Sequence, residues 1–214
     1  MRMKVELIAI TRYLRGEGTP EGLLEHAGRI CYRSEGRGEP GKFIQARVRE
    51  GHESIIEHAN ASFEISGISR ACSHQLVRHR LASYSQESQR YVEMSDPEWA
   101  LPPDILENDE AMAIWKDFAG GVTEAYEALR ELGIKKEDAR FVLPNAASTR
   151  IIVTMNFREL LHFFRIRISR AAQWEIRDVG VRMLELVHAR APSVFADIRL
   201  DLRERYPDFF EGIE

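Results

Sequence analysis

Residues 69–92 read SRACSHQLVRHRLASYSQESQRYV. The first half, Ser69 to Arg80, carries Ala71, Cys72, Gln75, Leu76 and His79 at helical spacing. Ala82 to Gln89 then reads as a polar loop that leaves through a short extended Tyr91-Val92. Positions three or four apart share a helix face, so Gln75 and Arg78 or His79 can address one ligand. Arg78, Arg80 and Arg90 meet one acid, Glu87, and His79 adds charge below its pKa. Guanidinium forks match phosphate oxygens two at a time. Interleaved with Ser83, Ser85 and Ser88, they suit a phosphorylated ligand better than a solvated helix end.

Outward from this stretch, helices dominate. Lys4 to Ile10 alternates as a strand, and Thr19-Pro20 opens a helix with Leu23, Leu24, Ala27 and Ile30 in register. Arg33 to Gly41 is a charged loop, followed by a short helix around Phe43, Ile44, Ala46 and Val48 that Gly51 stops. Ala59 to Gly67 reads as a strand with Ala61, Phe63 and Ile65 on one side. Trp99 to Asp104 is a Pro-rich connector. Asn108 to Leu132 is the longest helix, with Ile114, Trp115, Phe118, Val122, Tyr126 and Leu129 as its core stripe and Gly120-Gly121 weakening its middle. Lys136 to Val142 is helical, Arg150 to Asn156 a strand, and Phe157 to Ser169 and Gln173 to Ala189 are helices. Without βαβ regularity the class is α+β: one helix-rich domain over residues 1–214 with a small mixed or antiparallel sheet.

Composition narrows the function. The chain has 214 residues, 44 % hydrophobic and 30 % charged, and a formal net charge of −4, which argues against a dedicated nucleic-acid binder. Positive charge is local: Arg140, Arg150, Arg158, Arg165, Arg167 and Arg170 stand against Glu159 alone. Two separated arginine clusters in an acidic protein read as two walls of one anionic pocket. Two isolated cysteines exclude a disulfide framework, and no signal pattern or long apolar run appears, so the expected location is the cytoplasm, off the membrane. Neither G-x-G-x-x-G nor a P-loop is present, so a dinucleotide would need another scaffold.

Arg78-His79-Arg80, seven residues, then Ser88 resembles the signature of the flavin-dependent thymidylate synthases. The resemblance covers most of the chain. Gly51-His52-Glu53-Ser54 with Glu57-His58 is similar to an upstream element, and Ala139-Arg140 before Leu143-Pro144, Asn156-Phe157-Arg158, and Ile166-Arg167 ahead of Ala172-Gln173-Trp174-Glu175 to downstream ones. It implies reductive methylation of dUMP to dTMP, with methylenetetrahydrofolate giving the carbon, FAD carrying hydride and NADPH restoring the flavin. It also implies a homotetramer with active sites between subunits. FAD would meet Ser54, Arg78, His79, Arg80, Gln86, Asn156, Phe157, Arg158 and His162, with His52 on the flavin or folate side. The nucleotide would meet Gln75, Leu76, Val77, Arg78, then Gln86, Glu87, Ser88, Gln89, Arg90, and Arg140 and Arg167.

Those assignments make physical sense. Ser88, Arg90 and nearby backbone N–H groups suit a phosphate, each charge-assisted hydrogen bond contributing about 1.5–3 kcal/mol. Arg167, the expected catalytic residue, suits the uracil edge, where a fixed cation stabilises developing negative charge. Cys72 and Cys31 both read as core residues, and the resemblance implies no thiol nucleophile. His52, Glu53, Glu57 and His58 do not form H-E-x-x-H, so no metal is expected. His26, His74 and His188 read as ordinary helix residues.

Ser85 and Gln86 stand where many relatives have Asn and Glu, and His162 where some have Asn. Arg165 and Arg170 match no role. Two alternatives remain: a nucleotide- or RNA-binding regulatory module, which lacks RNP-type aromatics here, and a flavin reductase without methyl transfer.

Overall fold

The computed structural model describes residues 3–33 and 39–212. Four strands form one sheet in the order β1-β2-β4-β3: β1 Lys4–Ile10, β2 Asn60–Ser69, β3 Ala82–Gln86 and β4 Ser148–Asn156. β2 and β4 run antiparallel: the Ser62 and Thr154 hydroxyls meet at 2.8 Å, and Arg70 N–H donates to the Ala147 carbonyl. Ala61, Phe63 and Ile65 on β2 are buried, as are Ile151, Val153 and Met155 on β4. Alternation with period two puts one row of each strand into the core. The α+β reading, with a small antiparallel sheet, stands.

The helices are α1 Pro20–Tyr32, α2 Pro40–Arg49, α3 Arg70–Leu76, α4 Pro103–Leu106, α5 Asp109–Glu131, α6 Lys136–Ala139, α7 Phe157–Arg167, α8 Trp174–His188 and α9 Pro192–Arg205. Several starts are written in the sequence. Thr19, Asn108, Asn156 and Gln173 each accept from first-turn N–H groups, which otherwise lack partners. The chain falls into two compact units. One comprises Ile65–Leu76 and Ser85–Ile151 with Lys4, the first residue of β1; the other comprises Val5–Glu64, Val77–Tyr84 and Ile152–Glu214.

In the second unit α7, α8 and α9 pack together, and the Phe195 ring stands edge-on to Phe157 at 5.0 Å and Phe164 at 6.0 Å. α1 and α2 pack beside them, with α2 against α9. In the first unit, Tyr126 of α5 is buried with Met94 and Ala139, and its hydroxyl accepts from Met94 N–H.

Several expectations need correction. The helix from Ser69 ends at Leu76, leaving Arg78 to Arg80 outside it, so Gln75 and Arg78 do not share a helix face. The Tyr84 hydroxyl takes the His79 carbonyl at 2.7 Å, drawing the chain out of helical geometry. Ala82 to Gln86 is a strand, not a loop, and Tyr91-Val92 is a turn whose N–H groups donate to the Ser88 carbonyl. The core stripe of α5 holds only at its C-terminal half: Val122 and Tyr126 are buried, whereas Ile114 is 73 % exposed and Phe118 48 %. Cys72 is buried as expected, but Cys31 is exposed. Of the charged loop expected over residues 33–41, residues 34–38 lie outside the described residues, and Pro40 already starts α2.

Because Phe195 is fully buried among aromatic rings, Phe195→Ala is expected to lower stability by about 3–5 kcal/mol, read as a shift of the urea unfolding midpoint.

Candidate active site

The side chain that organises the second unit's polar core is His79, 5 % exposed. Its Nε2 accepts from Arg167 Nε–H at 3.0 Å. An imidazole nitrogen that accepts carries no proton, so the proton sits on Nδ1 and is donated to Glu159 Oε1 at 3.0 Å. Glu159 and Arg167 lie eight residues apart on α7, roughly two turns, so one helix presents both ends of the array. Asn156 caps that helix by accepting from Glu159 N–H at 2.8 Å. The Phe163 ring stands edge-on to the imidazole at 4.9 Å and excludes water from one side.

Burial lowers the His79 pKa first of all, Glu159 pulls it up, and Arg167 and His162 push it down; the net direction is downward. The imidazole is therefore neutral near pH 7. Burial, then the nearby Glu159 charge, pushes the Tyr84 phenol up, so it remains a donor to the His79 carbonyl.

Beside this array a groove of about 530 Å³ is lined by Glu53, Glu57, Leu81, Asn156, Arg158, Glu159, His162 and Arg165. Arg158 pairs with Glu57 and Glu53, and Arg165 Nη2 with Glu53 Oε1 at 3.0 Å. Arg165, which had no expected role, thus shares Glu53 with Arg158, two turns away on the same face of α7. Arg170 is held by Asp208 and lies over Phe209. The groove's size suits part of a large cofactor, and its cations and exposed Leu81 suit a ring system that carries phosphate.

Other expected residues fall into distinct surroundings. Phe157 is fully buried against Phe195, so only its backbone could meet a ligand, and the Leu76 side chain is buried too. Ser54 and His52 are exposed at the 3₁₀ turn Glu53–His58, and Val77, Arg78 and Arg80 are exposed on the segment after α3.

In the first unit, Gln86 Nε2 donates to Ser73 Oγ at 2.9 Å and Thr149 Oγ1 at 3.2 Å. The amide at position 86 therefore braces β3 from within. Arg90 is exposed and bonded to Glu137, and Ser88 Oγ accepts from Arg90 N–H. Glu87 is exposed, and Gln75 and Gln89 are half-buried. Arg140 stands close enough to Arg70 that, after burial, it is the next cause lowering the Arg70 pKa. Arg70 Nη1 also reaches Thr149 Oγ1 at 3.4 Å, so this corner of the unit carries two neighbouring cations. Arg70 was missed because it lies outside both arginine clusters of the sequence, and only the fold brings it beside Arg140. Glu159 was missed because a lone acid in a basic run reads as charge balance.

Among the described residues His79, Glu159 and His162 also place ligand-type atoms within 4.8 Å of one another. A metal ion there would have to break the Glu159 hydrogen bond beside the Arg167 cation.

The profile of the family described as Thymidylate synthase complementing protein matches residues 12–193. The chain belongs to this family. A flavin-dependent thymidylate synthase of Geobacter sulfurreducens is 46 % identical over 189 residues, covering 83 % of this chain and 82 % of that one. The flavin-dependent thymidylate synthase of Nitratidesulfovibrio vulgaris is 42 % identical over 215 residues, covering 90 % and 85 %. That of Clostridium tetani is 37 % identical over 220 residues, covering 91 % and 86 %. The resemblance drawn from the arginine-rich stretch is borne out. No helix among the described residues is long and apolar enough to cross a membrane.

The depressed His79 pKa has a consequence for folding. Between the ordinary value near 6.5 and the lower folded value, the unfolded chain binds more protons than the folded one, so stability falls as pH falls through that window. His188 is shifted the same way by its own burial. Thermal melts between pH 7.5 and 5.5 are therefore expected to lose less stability in His79→Gln than in the unaltered chain, with the His188 contribution common to both.

Proposed function

We propose that this chain converts dUMP to dTMP, taking a one-carbon unit from methylenetetrahydrofolate and reducing equivalents from NADPH through bound FAD. The observation that carries the reading is the Glu159–His79–Arg167 array, its first two members buried, in a chain of this family. When bound, the flavin supplies the hydride chemistry. The protein's own residues bind, orient and stabilise charge.

Arg167 acts at the uracil edge. Its guanidinium is held through Nε and half-buried, so it faces developing negative charge without paying to reorganise. Ser88, Arg90 and the turn that follows hold the phosphate, with Arg140 and Gln75 completing the nucleotide contacts. Glu137 keeps the Arg90 guanidinium positioned until the phosphate takes its place. Arg158, His162 and Asn156 hold the flavin along the groove, with Ser54, Arg78 and Arg80 as further contacts. Four copies assemble so that each site draws residues from more than one chain. Neither cysteine acts as a nucleophile: Cys72 is fully buried, and Cys31 is not among the groove's lining residues.

Purified protein should be yellow, or become so with FAD, and dUMP should accelerate its NADPH oxidation and, with the folate, give dTMP. A colourless protein that takes up no flavin would point to the regulatory module instead, and dUMP-insensitive oxidation to a reductase. Arg90→Ala is expected to weaken dUMP binding about tenfold or more while bound flavin is retained. Arg167→Ala should depress kcat about a hundredfold, with a much smaller change in nucleotide affinity. Cys31→Ser with Cys72→Ser should keep turnover, measured in the folded, flavin-loaded double variant.

A further inference from the structure

We propose that Glu159 is a positioning residue for the Arg167 step, acting only through the tautomer of His79. The inference rests on the reading of Arg167 above and adds a residue to it. A neutral imidazole can carry its proton on either ring nitrogen, and the two tautomers are close in energy in water. Here the choice decides what Arg167 meets. With the proton on Nδ1, Nε2 offers a lone pair to Arg167 Nε–H at 3.0 Å. With the proton on Nε2, two N–H donors would point at each other across that distance.

Glu159 Oε1, at 3.0 Å from Nδ1, accepts and cannot donate while ionised, so it selects the first tautomer. The groups facing the imidazole otherwise leave this choice unopposed. Phe163 presents a ring edge, and His162 stands at 5.9 Å between ring centres. From β3, the Tyr84 hydroxyl donates to the His79 backbone carbonyl. Glu159 is 5 % exposed, and its own backbone N–H is bound to the Asn156 cap, so helix and carboxylate are set together. The carboxylate thus fixes the plane in which the guanidinium is presented, without itself touching substrate.

Two measurements test this. In protein labelled with ¹⁵N-histidine, the Nδ1–H tautomer is expected for His79 at pH 7.5; a resting Nε2–H tautomer overturns the proposal whether or not the chain makes dTMP. In the holoenzyme, Glu159→Leu should lower kcat about thirtyfold with dUMP KM changed less than about threefold, while Glu159→Gln, which keeps an oxygen acceptor, should recover most of the loss. Repeated on an Arg167→Ala background, Glu159→Leu should cost less than about twofold. An equal loss in both backgrounds means that Glu159 supports the fold generally, and the proposal fails. If the unaltered chain forms no dTMP, the functional reading fails while the nitrogen spectrum still decides the tautomer. Should Glu159→Leu not fold, the same cycle is run with Glu159→Gln, for which a several-fold loss confined to the Arg167 background is expected.

Discussion

A carboxylate, an imidazole and a guanidinium stand in one line inside this chain, and each constrains the next. Hydrogen bonds of this kind are modest when water competes for them, but burial removes the competitor and makes any unpaired member expensive. Glu159 and His79 are both 5 % exposed, so losing either partner would strand a polar group in the core. The line also links distant segments: His79 follows α3, while Glu159 and Arg167 belong to α7. The early end of α3, the Tyr84 bond to the His79 carbonyl and the Asn156 cap all serve to keep that line in place.

The surrounding cations follow a different logic. Arg90, Arg158, Arg165 and Arg170 are each paired with an acid, and all four side chains are at least half exposed. Such solvent-exposed pairs contribute little to stability. Their value lies elsewhere. A guanidinium already held by a carboxylate has lost much of its rotamer freedom, and an incoming phosphate can replace the acid in the same geometry. Arg167 differs in that its Nε–H is held by the neutral His79 nitrogen, so an imidazole fixes its orientation. This fits the difference between a group that holds a ligand and one that answers charge appearing during reaction.

Much of this was legible in the residues. Strand and helix periods located β1 to their ends, and caps such as Thr19 and Asn108 marked helix starts, because these signals are local. What stayed hidden depended on tertiary partners. Nothing in Ser69 to Arg80 announces that the Tyr84 hydroxyl will take the His79 carbonyl, or that a carboxylate eighty positions later will take its ring. Ala82 to Gln86 has Tyr84 as its one strand-favouring side chain and becomes a strand because β4 offers it an edge to pair with. Ile114 and Phe118 share the period of Val122 and Tyr126, and periodicity alone does not say how far along a helix its cover extends. The arginines were visible, but their acids were not, since Glu53, Glu57 and Glu137 look like ordinary surface charge until the fold brings them close.

The most direct test is a crystal structure of the flavin-loaded protein with dUMP. The Arg167 guanidinium should lie within hydrogen-bond distance of the uracil edge while its Nε remains on His79. A complex in which uracil binds elsewhere, with Arg167 turned away from it in every copy, would contradict the account.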